Sequence, residues 1–168
     1  TVVLVYGTDP VTPTGIFGGN STVYVDNCTV VCLDSITGSV GIQGHGGAGL
    51  RVRNTYVGGF ATDYTGTFAA SGNVGNASSG TGTPENNTGL ESIALSTTNF
   101  ENVTTSTEDL RVKSTSALAT TGAARLATVL TDVFGVSRQD PTTVGAFEAL
   151  AGGGSSTTPL IGGLTHGI

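Results

Sequence analysis

Residues 23–31 read VYVDNCTVV and residues 50–58 read LRVRNTYVG. At an offset of 27, Val23 falls on Leu50, Val25 on Val52, Asn27 on Asn54 and Val30 on Val57. Alternate residues of a strand share a face. One face of the overlay therefore carries aliphatic pairs, and the other sets Tyr24 on Arg51 and Asp26 on Arg53. If the two stretches lie about 4.8 Å apart as neighbouring strands, tyrosine meets guanidinium and carboxylate meets arginine. Asn27 above Asn54 predicts an amide ladder at the corner, hydrogen bonded along the stack. Periods of 20–50 residues mark solenoid folds, so the repeat predicts an all-β parallel solenoid of four to five coils. A β-sandwich is the alternative, because short strands and glycine-rich turns serve it equally.

Composition narrows the choice. The chain has 168 residues, 27 of them glycine, and charged residues make up only 11%. Abundant Thr, Val and Gly with little Lys or Glu disfavours helices and suits strands joined by turns. The Val-rich runs can bury a core, which separates the chain from disordered sequences. A net charge of −6 argues against nucleic acid as a partner, since such domains are normally basic. No apolar run approaches the ~20 residues of a membrane helix. The opening TVVLVYG reads as an uncapped strand, which suggests a processed product or a piece of something longer. Cys28 and Cys32 have no His or second Cys pair at zinc spacing; they read as small buried apolar residues, and no metal or cofactor is expected.

Along the chain, residues 9–20 (DPVTPTGIFGGN) read as a turn region and 38–49 (GSVGIQGHGGAG) as a glycine-rich corner. Residues 71–89 read as a long polar loop, too poor in apolar residues to enter the core. ESIALSTTNFENVTT reads as short strands, and 116–130 (SALATTGAARLATVL) has near-helical apolar spacing. Residues 1–151 form the expected domain. Residues 152–168 open as a Gly/Ser-rich linker and end in an apolar tail, in which Pro159, Leu160, Ile161 and Leu164 are candidates for docking into a neighbouring subunit.

Four pieces near the end carry a further signal: Glu108-Asp109-Leu110-Arg111-Val112, Ser114 to Leu118, Asp132 to Arg138, and Val144 to Glu148. Together they resemble the last coils of pectate-lyase-like right-handed parallel β-helix proteins, which read DFRL-x-SGSPAIDAG, DIxGxxRP and DIGAFE. The resemblance covers about the last third of the chain. It implies a right-handed coil and the company of secreted bacterial surface proteins and tailed-phage virion proteins. The chain departs from the pattern at Ala119-Thr120-Thr121-Gly122 and at Thr143, which suggests a divergent member. The architecture hosts enzymes and inert structural parts alike.

β-helix lyases and hydrolases are expected to use outward acidic clusters, often with calcium. The outward candidates here are Asp26, Asp34, Arg51 and Arg53, with Tyr24, Tyr56, Phe60 and Tyr64 as sugar-stacking aromatics, of which Tyr56 and Phe60 read equally as core or as a subunit contact. The overlay commits Asp26 to Arg53, and no two acids fall at equivalent positions of adjacent coils. His45 lacks a partner acid or nucleophile nearby, and GHGGAG lacks the Lys-Ser/Thr of a phosphate loop. Arg138 and Glu148 read as a structural ion pair closing the last coil. The sequence is therefore read as a non-enzymatic, extracellular structural protein, a capsid-decorating, fibre or spike component of a phage virion. Its expected partners are sister copies, as a trimer or larger assembly, and a capsid or tail protein. The alternative is a polysaccharide-binding or depolymerising β-helix, as a phage spike or a secreted bacterial lyase or adhesin, with Tyr24, Asp26, Arg51 and Arg53 as its groove.

Overall fold

The computed structural model describes residues 1–5, 13–19, 21–34, 36–46, 49–80 and 90–149. In chain order the described elements are β1 (Val2–Val5), β2 (Thr14–Gly18), β3 (Val23–Asp26), β4 (Thr29–Cys32), β5 (Val40–Gly44), β6 (Leu50–Arg53), β7 (Tyr56–Gly58), β8 (Thr62–Gly66), β9 (Ala77–Ser78), β10 (Phe100–Asn102), β11 (Asp109–Val112) and α1 (Ala117–Thr120). The fold is all-β. The first nine strands form three parallel sheets, ordered β1-β4-β7-β9, β2-β5-β8 and β3-β6. A sandwich of antiparallel sheets does not pair its strands this way.

The register repeats the sequence overlay. Val23 pairs with Leu50, Tyr24 with Arg51, Val25 with Val52 and Asp26 with Arg53. The same offset of 27 sets β1 on β4 (Val2 on Thr29) and β4 on β7 (Thr29 on Tyr56). It shortens afterwards: Val40 pairs with Thr62 and Tyr56 with Ala77.

The core lies in two clusters. Val25, Val30, Ile42, Leu50, Val52, Val57 and Tyr64 pack together between the parallel sheets. Val31 and Tyr56, on the other face of the β1-β4-β7-β9 sheet, pack with Phe100, Leu110, Leu118, Val144 and Phe147 from the C-terminal part. This explains why β4, TVVC, is buried at every position: a parallel strand covered on both faces needs no polar side.

Several expectations are corrected. The proline-containing turn region holds β2, and the glycine-rich corner holds β5. Glycine is needed inside β5 because a Cβ at Gly41 would stand 2.2 Å from Val57 Cγ1. The near-helical stretch forms one turn only, α1. Ser116 caps it by accepting from Leu118 N at 3.2 Å, and Gly122, at φ +56°, ends it. Residues 91–99 hold turns and bends and no strand, with β10 beginning at Phe100.

The described part of the polar loop is only partly solvated: Ser71, Gly72 and Val74 are exposed, but its asparagines are not. Asn73 and Asn76 are buried. Asn73 Oδ1 accepts from Val52 N at 3.0 Å; Asn76 Nδ2 donates to Val52 O at 2.7 Å and its Oδ1 accepts from Thr55 N at 3.2 Å. Beside β6 the third turn contributes one parallel bridge, Arg53 to Val74, and these amides flank it where a longer strand would pair, since buried backbone groups must be paired by something. Lack of apolar side chains was thus a poor guide to burial.

The amide ladder does not form. Asn27 and Asn54 both take left-handed backbone, at φ 47° and 51°, a conformation that asparagine tolerates better than most residues. Asn54 Nδ2 donates to Ala124 O at 2.9 Å, and both amide atoms of Asn27 are buried without a hydrogen bond. The corner asks for the backbone conformation, not for stacked amides.

Candidate functional site

The alternation of β3 and β6 turns Tyr24, Asp26, Arg51 and Arg53 to one outward face, while Val25, Leu50 and Val52 turn to the core. Arg53 Nε donates to Asp26 Oδ1 at 2.7 Å, and its Nη2 meets Asp26 Oδ2 in the same fork. Such a bidentate pair is the strong form of a carboxylate–guanidinium contact. Donating to the Asp26 carboxylate raises the Arg53 pKa further. The Tyr24 ring, 52% exposed, lies beneath both guanidinium groups, with Cζ of Arg53 4.7 Å and of Arg51 5.6 Å from its centroid. Arg51 Nε also donates to Ser71 O at 3.2 Å. The four residues named from sequence are therefore brought together. Asp26 and Arg53 spend their charges on one another, Arg51 is engaged by Ser71 O and the tyrosine ring, and the tyrosine face is shared by two cations.

The remaining sequence candidates are scattered. Tyr56 and Tyr64 are buried. Tyr56 donates its hydroxyl to Ile93 O at 3.0 Å, and Tyr64 Oη lies 3.3 Å from both Thr55 O and Ala77 O. Neither can stack on a sugar, and Phe60 is half-buried against the inner cluster. Asp34 is exposed and accepts from Thr105 Oγ1 at 3.1 Å, away from the Asp26 face. His45 is exposed with its ring 5.6 Å from that of Phe17. Cys28 and Cys32 are buried free thiols, and burial pushes the Cys28 thiol up. Pro159, Leu160, Ile161 and Leu164 lie outside the described residues, as do 81–89 of the polar loop.

One buried acid was not anticipated. Asp63, 3% exposed, has its carboxyl pushed up by burial. Bonds from Gly80 N at 2.7 Å and Ser79 Oγ at 3.0 Å act against that rise. Its partners are the residues leading out of β9, so its geometry fits a latch on that segment. The sequence signal was only a DY pair in which both residues turned out buried.

The C-terminal motif pieces have structural work. Asp132 Oδ1 accepts from Phe134 N and Val136 N, each at 2.8 Å, and Oδ2 accepts from Glu148 N at 3.1 Å. Gly135, at φ +81°, completes the turn. Arg138 and Glu148 form a buried ion pair at 3.3 Å. Arg138 Nη1 also reaches Thr142 Oγ1 and Thr143 O, and Nη2 reaches Gly145 O at 2.9 Å. Burial pulls the Arg138 pKa down while the Glu148 carboxylate pulls it back up.

Beside Asp26 lies a cleft of about 190 Å³, lined among others by Asn27, Asp132, Val133 and Arg138. The unpaired amide atoms of Asn27 each expose less than 1 Å², so a molecule in the cleft would not touch them. Among the described residues no group of three or more His, Cys, Asp or Glu gathers to hold a metal ion, and no helix is long and apolar enough to cross a membrane. No family model, no curated protein and no solved structure matches this chain.

Proposed function

We propose that the chain is part of a right-handed parallel β-helix that serves as a structural, non-enzymatic component of a tailed-phage virion surface and associates with copies of itself. The observation that carries this reading is the state of the first strands. Among the described residues β1, β2 and β3 each lie at the edge of their parallel sheet, so three consecutive strands have no described strand on their outer side, and open edges recruit other strands. The recurrence of the three sheets in chain order supports a coil. The resemblance of 108–148 to pectate-lyase-like coils supports its hand and the phage or secreted, extracellular setting. The pairing of Asp26 with Arg53 favours a packing face over a reactive one.

The test is native mass and symmetry, by size-exclusion chromatography with light scattering and then electron imaging. A trimer or larger ordered assembly that covers the Asp26–Arg51–Arg53 face is the expected result. A monomer with that face open would overturn the proposal.

A second reading has its own observation. Tyr24 offers an exposed ring framed by two arginines and a carboxylate, the furniture of a sugar subsite. Under that reading Asp26→Ala lowers binding to a host polysaccharide by about tenfold or more, the loss of one charge-assisted contact of ~1.5–3 kcal/mol. A glycan array with no bound member would remove it.

A further inference from the structure

Six large hydrophobic side chains are conspicuously exposed among the described residues, and three of them share one five-residue stretch: Leu130 at 58%, Val133 at 51% and Phe134 at 58%. That stretch is held rigidly. Thr131 bridges Ser137, Arg138 N donates to Leu130 O at 2.9 Å, and Asp132 caps the turn. A hairpin so well fixed by polar groups gains nothing for itself by showing apolar side chains to water, and exposed apolar residues gathered in one place mark a binding surface.

The chain itself supplies an occupant. The outgoing segment runs directly against this hairpin: Val133 N donates to Ala146 O at 3.2 Å, Glu148 N donates to Asp132 Oδ2, and the Phe147 ring lies 5.4 Å from that of Phe134. The described residues stop at Ala149, beside the patch. Beyond it the sequence runs through GGGSSTT and then PLIGGL, residues 159–164. A Gly/Ser-rich spacer of this length spans roughly 18 Å between Ala149 and Leu160. That keeps the apolar peptide in reach of the hairpin at an effective concentration in the millimolar range. A neighbour's tail would have to compete with that tether. We propose that Leu130, Val133 and Phe134 are the seat of Pro159–Leu164 of the same chain, a strap folded back onto its own root, and not a peptide handed to a neighbouring subunit as the sequence suggests. The proposal does not depend on the virion reading.

The experiment uses the full chain with a photoreactive benzoyl-phenylalanine in place of Leu160, irradiated and mapped by peptide mass spectrometry. Adducts on residues 130–134 at monomer mass are expected. Val133→Ser and Phe134→Ser, both at exposed positions, should each cut the yield by about tenfold, the worth of one apolar anchor. Adducts elsewhere on the protein, an unchanged yield in both variants, or hairpin adducts found only at dimer mass would each overturn the proposal. The last would restore the sister-chain docking. Failure of the assembly reading shows separately, as a monomeric mass of the unlabelled protein.

Discussion

The parallel-sheet part and the C-terminal part of this chain are held by opposite means. Up to Ser78 the strands stack aliphatic side chains along three sheets, with Ile42, Val52 and Val57 fully buried between them. From Leu90 to Ala149 the described chain has one antiparallel pair of strands and one helical turn, and much of its backbone is satisfied by side chains: Asp132, Thr143, Ser116, Arg138 and Glu148. A repeat can pair its backbone with its own next turn. A segment without regular strands has no such partner and must bring polar side chains inside to do the pairing. The second part still contributes to the first, because Leu118, Val144 and Phe147 cover the outer face of β4 and β7. Its apolar residues give the burial, and its buried ion pair fixes the path that places them.

The largest effect expected from that contrast is at Arg138. Arg138→Met leaves the Glu148 carboxylate buried without its cation and should cost about 3–5 kcal/mol, read as a lowered urea midpoint. Replacing both members, Arg138→Met with Glu148→Leu, should recover part of the loss, since a buried pair exchanged for apolar groups is often near neutral. Recovery stays incomplete because Gly145 O and Thr143 N lose their partners. A single substitution costing less than about 1 kcal/mol, the range of a surface pair, would break the comparison.

The contrast is not absolute. At its third turn the parallel part keeps only one bridge beside β6, Arg53 to Val74, and Asn73 and Asn76 take over the rest of the pairing. Asn76→Ala leaves Thr55 N without its partner and takes one of two donors from Val52 O, which keeps Val74 N, and should cost about 1–3 kcal/mol, the penalty for a buried group left unpaired. Thermal unfolding followed by circular dichroism would show it. A loss no larger than that of an exposed Asn→Ala control would mean that the polar side chains are passengers there, and that the parallel part depends on apolar stacking alone.

What could be read from the sequence follows the same line. The overlay of 23–26 on 50–53 gave the register because each pair of side chains is matched in chemistry, and the site face of Tyr24, Asp26, Arg51 and Arg53 came with it. β5 was hidden because its glycines are set by neighbours distant in sequence: a Cβ at Gly44 would lie 2.1 Å from Thr67 O. No local pattern records such a contact. The third turn was hidden because the offset falls from 27 to 21 between β4–β7 and β7–β9, and because buried asparagine resembles loop asparagine in composition. The Arg138–Glu148 pair was legible through its motif. The exposed hairpin next to it was not, because Leu130 fell at the end of a run with helical spacing whose helix stops at Thr120. The Asp132-to-Gly135 spacing was the available signal of a turn.

The smallest effect, and the one that separates two accounts of the same corner, concerns Asn27 and Asn54. Both sit in left-handed backbone, where glycine carries no steric penalty. At Asn27 glycine also removes a buried amide without partners, against an added chain-entropy cost of about 0.5–1 kcal/mol. The net expectation is a protein unchanged or about 1 kcal/mol more stable. At Asn54 the same substitution gives up the bond to Ala124 O, worth about 1 kcal/mol, and opens space beside Gly75, so a small loss is expected. The two corners should differ in sign although they align in sequence and share a conformation. Equal losses at both, in paired denaturation curves, would mean that the two amides support each other along the stack. The ladder predicted from the sequence would then be the better account of why asparagine recurs there.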